Sequence, residues 1–203
     1  MKKTFLDRVY DHDKRFDPRA LYDEWSASYD DEVTSQGYAT PGRIADTLAR
    51  HLGPTDPILD FGCGTGLSGQ AMAARGFAVF DGCDVSENML DQARELGIYR
   101  RIWQSGPDQD MPVTIGDYAA IAAVGVISKG AAPPETLPQL VDLLAPGQLI
   151  VFSFNDHTFA DPRFEAAVEA EITSGRVTQI SRVHGAHLPG IGLMSTVFTL
   201  RRE

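Results

Sequence analysis

Residues 58–69 read ILDFGCGTGLSG, a short apolar run that ends in an aspartate and opens into a glycine-rich turn. The apolar run predicts a buried strand that ends at Asp60 and Phe61, and the stretch from Leu67 onward predicts a helix. Four glycines within eight positions leave the backbone of the turn bare, so that a ligand can approach it closely. A strand, a glycine-rich turn and a helix in this order are typical of cofactor sites in parallel sheets.

Beyond this stretch, short apolar runs alternate with helical patterns. Composition and period predict strands at 57–61, 78–83, 98–103, 118–124, 148–154, 176–183 and 193–200. Helices are predicted at 43–52, 67–75, 87–96, 135–144 and 164–173. This alternation predicts a doubly wound, mostly parallel α/β sheet of seven strands that ends in a C-terminal antiparallel hairpin. The glycine-rich turn then lies at the carboxyl edge of the sheet, where such folds bind their ligands.

The composition limits which partners the chain can have. The 203 residues carry a formal net charge of −10, which repels nucleic-acid backbones and anionic membrane surfaces. No stretch reaches the ~20 apolar residues of a transmembrane helix. No apolar run follows the first lysines, so we expect no secretory signal and a cytoplasmic location. Cys63 and Cys83 have no metal-binding spacing, and we expect two buried, reduced thiols and no metal site.

The glycine-rich turn fits two kinds of cofactor site. Gly64, Gly66 and Gly69 match the GxGxxG fingerprint of dinucleotide-binding proteins. Asp84 lies 20 residues beyond Gly64, where an acid would hold a ribose hydroxyl. The register conflicts with the predicted strand, because a turn that follows the strand directly begins at Gly62. Counted from Gly62, the third glycine position of the fingerprint is a leucine.

Asp60, at the end of the strand, favours the second kind of site. A dinucleotide pyrophosphate is anionic and binds best at a helix N-terminus with no carboxylate beside it. S-adenosylmethionine instead carries an ammonium, a carboxylate and a sulfonium. The N–H groups of the turn can donate to that carboxylate, and Asp60 can accept from the ammonium, directly or through water. The stretch therefore fits a zwitterionic amino-acid tail better than a pyrophosphate.

Two stretches, ILDFGCGTG at 58–66 and VFDGCDVSENMLDQAR at 79–94, resemble the first motifs of class I S-adenosylmethionine-dependent methyltransferases. Further segments occur in the order found in one branch, the methyltransferase-like protein of the Williams–Beuren syndrome region and its bacterial relatives: LYDEWSASYDDEV, GYATPGRIA, LGIYRRI and GVISKGAAPPETLPQLVDLLAPGQLIVFS. The resemblance covers roughly residues 20–200. It implies a Rossmann-like methyltransferase fold that binds S-adenosyl-L-methionine, with an N-terminal helical lid at 1–40 and a methyltransferase domain at 41–203.

The resemblance also implies roles for single residues of the cofactor site. The turn Gly62, Cys63 and Gly64 matches the positions where the methionine moiety approaches the backbone, and a β-carbon on either glycine would intrude on it. Asp84 matches the acid that accepts hydrogen bonds from both ribose hydroxyls. Val124, at the end of the fourth strand, is expected beneath the sulfonium.

At the adenine end, Val85 and Met89 match positions that flank the base, although Met89 can equally be ordinary core packing on its helix. Many relatives carry an acidic residue followed by a small one after the third strand. This chain departs from that pattern, and Gln104 or Ser105 occupies the matching place at the edge of the adenine.

Tyr22, Trp25 and Tyr29 are spaced by three and four residues and therefore share one helical face. Such an aromatic stripe can pack on the core. The resemblance instead places it in the lid over the cofactor, where an aromatic face attracts a sulfonium by ~0.5–2 kcal/mol. Both interpretations remain open from the sequence.

Methyl transfer from a sulfonium is an in-line displacement with a neutral leaving group, so it requires no catalytic triad and no metal. If a general base is used, the candidates are His157, His184 and His187, and His157 after the fifth strand is favoured. His184 and His187 are expected in the hairpin turn, in structural or exposed positions.

The predicted function is methylation of a small-molecule acceptor. The acidic charge and the absence of an Asn-Pro-Pro-aromatic run after the fourth strand argue against nucleic-acid bases as substrates. Two alternatives are left: an NAD-linked oxidoreductase that uses the dinucleotide register of the turn, and a protein that binds S-adenosylmethionine without catalysis. The sequence does not predict an oligomeric state.

Overall fold

A computed structural model of the chain describes residues 18–106 and 111–203. Within these ranges, one sheet contains β1 Ile58–Phe61, β2 Phe80–Asp84, β3 Ile102–Gln104, β4 Ala120–Ala123, β5 Leu149–Asn155, β6 Val177–Leu188 and β7 Leu193–Arg202. Their order across the sheet is β3-β2-β1-β4-β5-β7-β6. The first five strands are parallel, and β7 runs antiparallel to both β5 and β6. The predicted fold is therefore confirmed, including the C-terminal hairpin.

Helices cover both faces of the sheet and its carboxyl edge. They are α1 Pro18–Trp25, α2 Tyr29–Ser35, α3 Thr40–Leu48, α4 Leu67–Ala74, α5 Glu87–Glu95, α6 Thr136–Asp142, α7 Asp156–Phe159 and α8 Pro162–Thr173. Ser86 caps α5 as its sequence position predicts, because its hydroxyl oxygen accepts from the amide of Met89 at 3.2 Å. The short helix α7 was not expected from the sequence.

Alternate side chains of the central strands feed two separate cores. Along β5, Ile150, Phe152 and Phe154 pack with α6 and α8, whereas Leu149 and Val151 pack with α3 and α4. Every residue of β5 is buried. This is the pattern of a strand with helices on both faces, and it explains why the first four residues of β5 are all apolar.

The third and sixth strands differ most from their predicted bounds. The third strand begins at Ile102 instead of residue 98, since Tyr99 turns inward and packs edge-on against Phe80 with ring centroids 5.1 Å apart. β6 continues to Leu188, so His184 and His187 lie in the strand, and their predicted place in the hairpin turn is wrong.

The glycine-rich composition of residues 184–192 suggested a longer turn than the one that forms. Gly185 stays in β6 because the Arg43 guanidinium fills the side-chain side of its backbone. A β-carbon on Gly185 would lie 3.0 Å from the guanidinium carbon. The connection to β7 is a short 3-10 turn over Pro189–Ile191.

Asp81, in β2, is the centre of a cluster of charged and polar side chains. Asp81 is fully buried and accepts two hydrogen bonds from Arg100 at 2.9 and 2.7 Å and two from Arg101 at 3.0 and 2.8 Å. The Tyr118 hydroxyl donates a fifth at 2.7 Å. Burial alone raises the pKa of Asp81, but these hydrogen bonds outweigh it and hold the pKa below its ordinary value.

We expect Asp81→Asn to lower the free energy of unfolding at pH 7 by about 1–3 kcal/mol, because an amide replaces the acceptor that all three donors share. The pKa of Asp81 is lower in the folded than in the unfolded chain. Its stabilisation is therefore complete above the unfolded pKa near 4 and is lost as the pH falls toward the folded pKa. Urea denaturation at pH 7 and pH 3 measures this. If the difference in the free energy of unfolding between wild type and variant were the same at pH 7 and pH 3, the role of Asp81 would be contradicted.

Two further structural findings concern the described ranges. No group of three or more His, Cys, Asp or Glu side chains there is arranged to hold a metal ion. None of the helices there is long and apolar enough to cross a lipid bilayer.

Candidate functional site

The backbone of the glycine-rich turn is tied to the neighbouring strand. The amides of Gly62 and Cys63 both donate to the carbonyl oxygen of Cys83, at 2.8 and 3.0 Å. Gly62 and Gly64 have φ values of 70° and 54°, in the left-handed region that favours glycine. Both thiols are buried and free, and burial raises the pKa of Cys83 to about 12. The turn is therefore fixed at the carboxyl edge of β1 and β2, and its thiols are unreactive.

The two glycines face different neighbours. A β-carbon on Gly62 would lie 2.3 Å from a methyl carbon of Val126, in the segment after β4. The space on that side is therefore occupied by the protein itself, whereas the sequence predicts a ligand there. A β-carbon on Gly64 would lie 3.5 Å from the sulfur of Met89, an ordinary contact distance. Gly62 is needed for packing beneath the turn, and Gly64 for its backbone conformation beside Met89.

Asp84 stands at the end of β2 and is half-buried beside the turn. Its carboxylate accepts from the amide of Gly64 at 3.0 Å and from the amide of Ser86 at 2.9 Å. Burial raises the pKa of Asp84, and the charge of Asp23 adds to this, while the backbone donors oppose it. Because a carboxylate can accept about four hydrogen bonds, Asp84 keeps capacity for two hydroxyl donors of a ligand.

Asp60 lies beneath the same turn and is fully buried. One carboxylate oxygen accepts from the Ser68 hydroxyl at 2.6 Å and from the Tyr99 hydroxyl at 2.7 Å. The other oxygen is enclosed and has no hydrogen-bond partner among the described residues. Burial raises the pKa of Asp60 to about 6, against the lowering effect of the two hydroxyls. A buried acceptor without a donor costs free energy, so this oxygen is suited to a donor supplied by a ligand.

Tyr99 explains why Gly69 is a glycine. A β-carbon on Gly69 would lie 2.3 Å from the Tyr99 hydroxyl oxygen. Gly69, in α4, is therefore required for Tyr99 to reach Asp60. Packing is also the role of the third glycine in the dinucleotide fingerprint, so Gly69 does not distinguish the two kinds of cofactor site.

The residues assigned to the adenine end gather around the end of β2 and β3. Met89 and Ser105 are buried, and the amide of Ser105 donates to the carbonyl oxygen of Asp84 at 2.8 Å. Gln104 donates its side-chain amide to the carbonyl oxygen of Val85 at 2.9 Å. These four side chains thus share one corner of the sheet edge with Asp84.

The helical pair α1 and α2 docks on this edge through polar contacts. Asp23 of α1 accepts from the Ser86 hydroxyl, and Asp30 of α2 accepts from the Thr65 hydroxyl at 2.5 Å. Gln92 donates to the carbonyl oxygen of Ser26 at 2.8 Å. The pair therefore covers both the glycine-rich turn and the start of α5.

The aromatic stripe of the helical pair divides between core and pocket. Trp25 is 2% exposed and packs with Val33 and Leu188. Its ring lies 5.8 Å from that of Tyr22 and 4.7 Å from that of Tyr29. Both tyrosines are half-buried. The three rings form one continuous aromatic surface over the carboxyl edge of the sheet.

A small pocket of about 40 Å³ lies beneath this aromatic surface. Gly125 at the end of β4 and Asn155 at the end of β5 form its floor side, and Val124 packs into the α3/α4 core beside it. The lining residues are Tyr22, Trp25, Tyr29, Val33, Tyr38, Gly125, Ser128, Asn155, His187 and Leu188. Among these described lining residues, none is Asp, Glu, Lys or Arg.

The histidine that lines this pocket is His187, which the sequence analysis placed in a structural or exposed position. His157, the sequence-predicted candidate base, is half-buried in α7 after β5 and is not among the lining residues. His187 is 5% exposed, and its ring packs edge-on against Tyr38 at 5.2 Å. Its position depends on the register of β6, which no local pattern reveals.

Known proteins share this fold. A family described as a methyltransferase domain matches residues 58–147. The putative methyltransferase in complex with the Trm112 methyltransferase activator of Haloferax volcanii superposes with a TM-score of 0.70 at 15% identity, over 92% of this chain and 99% of that one. The N-methyltransferase NodS of Bradyrhizobium japonicum WM9, in complex with S-adenosyl-L-homocysteine, gives 0.66 at 16% identity, over the same shares.

The matching methyltransferase domain and the shared fold support the class I S-adenosylmethionine-dependent methyltransferase superfamily for this chain, with S-adenosyl-L-methionine as the cofactor. The sequence-based recognition of this superfamily is thereby confirmed. Within it, the chain is 33% identical to human methyltransferase-like protein 27 over 156 residues, which are 75% of this chain and 63% of the relative. The chain thus spans less than two thirds of the length of that relative.

Proposed function

We propose that the protein transfers the methyl group of S-adenosylmethionine to a small-molecule acceptor. The supporting observation is that two features lie near each other at one edge of the sheet. One is the glycine-rich turn with its two acids, and the other is the small aromatic pocket. The turn and acids suit the cofactor, and the pocket suits the acceptor. Gly125 belongs to the pocket and directly follows Val124, the residue expected beneath the sulfonium.

The residues present fit this cofactor. The enclosed oxygen of Asp60 has no partner within the described ranges and would accept from the cofactor ammonium, directly or through water. Asp84 would accept from the ribose hydroxyls. The remaining contacts would come from the turn, the adenine corner and the helical pair: Gly62, Cys63, Gly64, Val85, Met89, Gln104, Ser105, Val124, Tyr22, Trp25 and Tyr29.

The bound cofactor supplies an activated methyl group on a positively charged sulfur. The protein then has to align donor and acceptor, which can contribute about 7–11 kcal/mol by proximity and orientation. The α1–α2 pair covers the edge of the sheet and would exclude water from it. We propose that this pair is part of an N-terminal lid at 1–40, and that residues 41–203 form the methyltransferase domain. His157 is half-buried and lies outside the pocket lining, so we assign it no catalytic step.

A small acceptor suits both the pocket and the charge of the chain. The pocket volume of about 40 Å³ is enough for only a few water molecules, so the lid must open to admit any organic acceptor. An enclosed pocket beneath two helices is poorly accessible to a nucleotide within a polymer or to a folded protein. The net charge of −10 further disfavours nucleic acid.

A calorimetric titration separates the cofactor alternatives. We expect S-adenosylhomocysteine to bind and NADH not to bind, and binding of NADH alone would overturn the proposal. Methyl transfer is then tested with a radiolabelled donor and three fractions of cell extract: small molecules, protein and RNA. Label in the small-molecule fraction supports the proposal. Label in protein or RNA overturns the acceptor class, and no label despite tight cofactor binding favours a non-catalytic binder.

Cofactor affinity should depend on pH through Asp60. An ammonium beside its carboxylate lowers the pKa of Asp60 from about 6 in the free protein, so ligand binding favours the ionised form. Affinity for S-adenosylhomocysteine should therefore fall as the pH drops below 6, by about tenfold between pH 7 and pH 5. Calorimetric titrations at both pH values measure this. In Asp60→Asn the affinity should be lower and the pH effect absent, and an unchanged pH effect would assign it to another group.

A further inference from the structure

We infer that His187 binds the methyl acceptor as a neutral hydrogen-bond donor, and that the acceptor is a hydroxyaromatic ring held as its oxyanion. This inference rests on the proposed methyl transfer and adds the chemical class of the acceptor. It also assigns a binding role to a side chain that local sequence patterns placed in a turn.

A β-bulge directs His187 into the pocket. In the ladder of β6 and β7, Ala186 pairs with Met194 and Leu188 pairs with Leu193. His187 is therefore the extra residue on β6, opposite no residue of β7. Bulges of this kind redirect a side chain and are frequent beside active sites. The imidazole consequently joins the lining of the aromatic pocket.

A buried hydrogen-bond chain reaches Nδ1 of His187. Arg43 donates to the Ser195 hydroxyl oxygen at 2.8 Å, the Thr40 hydroxyl oxygen lies 3.0 Å from that of Ser195, and Nδ1 of His187 lies 2.8 Å from that of Thr40. A guanidinium has donors and no acceptor, so the Ser195 hydroxyl cannot donate to Arg43. The chain is continuous when Ser195 donates to Thr40 and Thr40 donates to Nδ1, and we adopt this direction. Nδ1 then accepts, and Nε2 carries the hydrogen that is available to a bound molecule.

The surroundings of His187 also keep the ring neutral. Burial lowers the pKa of His187 to about 4, and the positive charges of Arg43 and His157 contribute in the same direction. Thr40 and Ser195 are fully buried, so water does not compete for Nδ1. A neutral imidazole whose Nδ1 is engaged from behind is a poor general base and a well-oriented donor.

The rest of the pocket selects the acceptor. Four aromatic rings offer flat apolar surfaces, and the described lining residues supply no carboxylate that could pair with a cationic amine. An oxyanion would receive the Nε2–H hydrogen bond and would be attracted by the nearby sulfonium. A phenolate or a related ionised hydroxyaromatic compound satisfies all three conditions.

The transfer balances without a base. The acceptor releases its hydroxyl proton to water when it binds as the oxyanion. A lone pair of the oxyanion oxygen then forms the bond to the methyl carbon. The carbon–sulfur bond breaks with its electron pair on sulfur, which leaves as a neutral thioether. His187 keeps its proton throughout.

The test uses 4-nitrophenol as a probe, because its ionised form absorbs visible light and reports its own protonation state. With saturating S-adenosylhomocysteine, the wild type should bind the ionised form about tenfold more tightly than the neutral form. His187→Gln keeps an N–H donor but cannot act as a base, and it should retain this preference. His187→Met has similar length and no donor, and it should lose the preference by about tenfold or more.

The inference would be overturned if His187→Gln lost the preference for the ionised probe as His187→Met does, because the hydrogen bond from Nε2 would then not explain it. It would also be overturned if the wild type preferred the neutral probe or did not bind the probe. Nitrogen NMR of labelled histidine adds a readout without any acceptor. It should show Nε2 protonated and Nδ1 unprotonated in the wild type, and Thr40→Val should alter this tautomer signal. Binding of S-adenosylhomocysteine should persist in all variants. Its absence from the wild type would count against the proposed function separately.

Discussion

Asp84→Ala should weaken the binding of S-adenosylhomocysteine by about 100-fold or more. The carboxylate is proposed to accept from both ribose hydroxyls, and hydrogen bonds to a charged group typically contribute about 1.5–3 kcal/mol each. Isothermal titration calorimetry at pH 7.5 measures the change. Burial raises the pKa of Asp84, so the titration is done on the alkaline side of neutrality, which favours the carboxylate.

Asp84 also organises the turn, so the loss of affinity has two components. Its carboxylate accepts from the amides of Gly64 and Ser86, and alanine releases both. Asp84→Asn removes the charge but retains one acceptor oxygen of similar position. Its affinity for S-adenosylhomocysteine should lie between those of the wild type and Asp84→Ala. Asp91→Ala removes an exposed acid of α5 that pairs with Arg94, and it should leave affinity unchanged. Wild-type affinity in a folded Asp84→Ala variant would exclude the ribose role.

Local sequence signals predicted the features that depend on neighbours in the chain. The apolar run of β1, the cap at Ser86 and the acid at the end of β2 are set by residues a few positions apart. The alternation of strands and helices then leaves few possible sheet topologies, because parallel crossovers are right-handed and short. The placement of Asp84 beside the glycine-rich turn follows from that topology, since both lie at the carboxyl ends of adjacent strands.

Features that depend on distant contacts could not be predicted in this way. His187 meets Thr40 across 147 positions of sequence, and a one-residue bulge decides that it faces the pocket. Tyr99 has the composition of a strand residue, yet its hydroxyl bonds to Asp60. Glycine composition alone also does not reveal that a β-carbon on Gly62 would clash with Val126.

The proposed lid and the proposed cofactor site share side chains. Ser86 and Thr65 donate to Asp23 and Asp30 of α1 and α2, and Asp23 also raises the pKa of Asp84. The helical pair thus places carboxylates near the acid that is proposed to hold the ribose. A cofactor that donates hydroxyls to Asp84 and places its sulfonium beneath the aromatic surface would offset this repulsion, so its binding would favour the docked position of the pair.

Gly62→Ala should lower the free energy of unfolding by about 2–5 kcal/mol, which is a large part of the stability of a typical domain. Two costs combine. The φ of 70° at this position is unfavourable for a residue with a β-carbon, at about 1–2 kcal/mol. The new β-carbon would also lie 2.3 Å from one Val126 methyl carbon and 2.6 Å from the Val126 β-carbon, so the segment after β4 must shift. Chemical denaturation at 20 °C, followed by circular dichroism, measures the change.

Gly97→Ala is the matched control, because Gly97 has a φ of 63° and a β-carbon there would meet no atom within 4 Å. It should cost only the conformational part, about 1–2 kcal/mol, and the difference between the two variants isolates the clash. Val126→Gly in the Gly62→Ala background should recover part of that difference, so the double variant should be more stable than the sum of the single effects predicts. Equal effects of Gly62→Ala and Gly97→Ala would show that the turn does not depend on Val126.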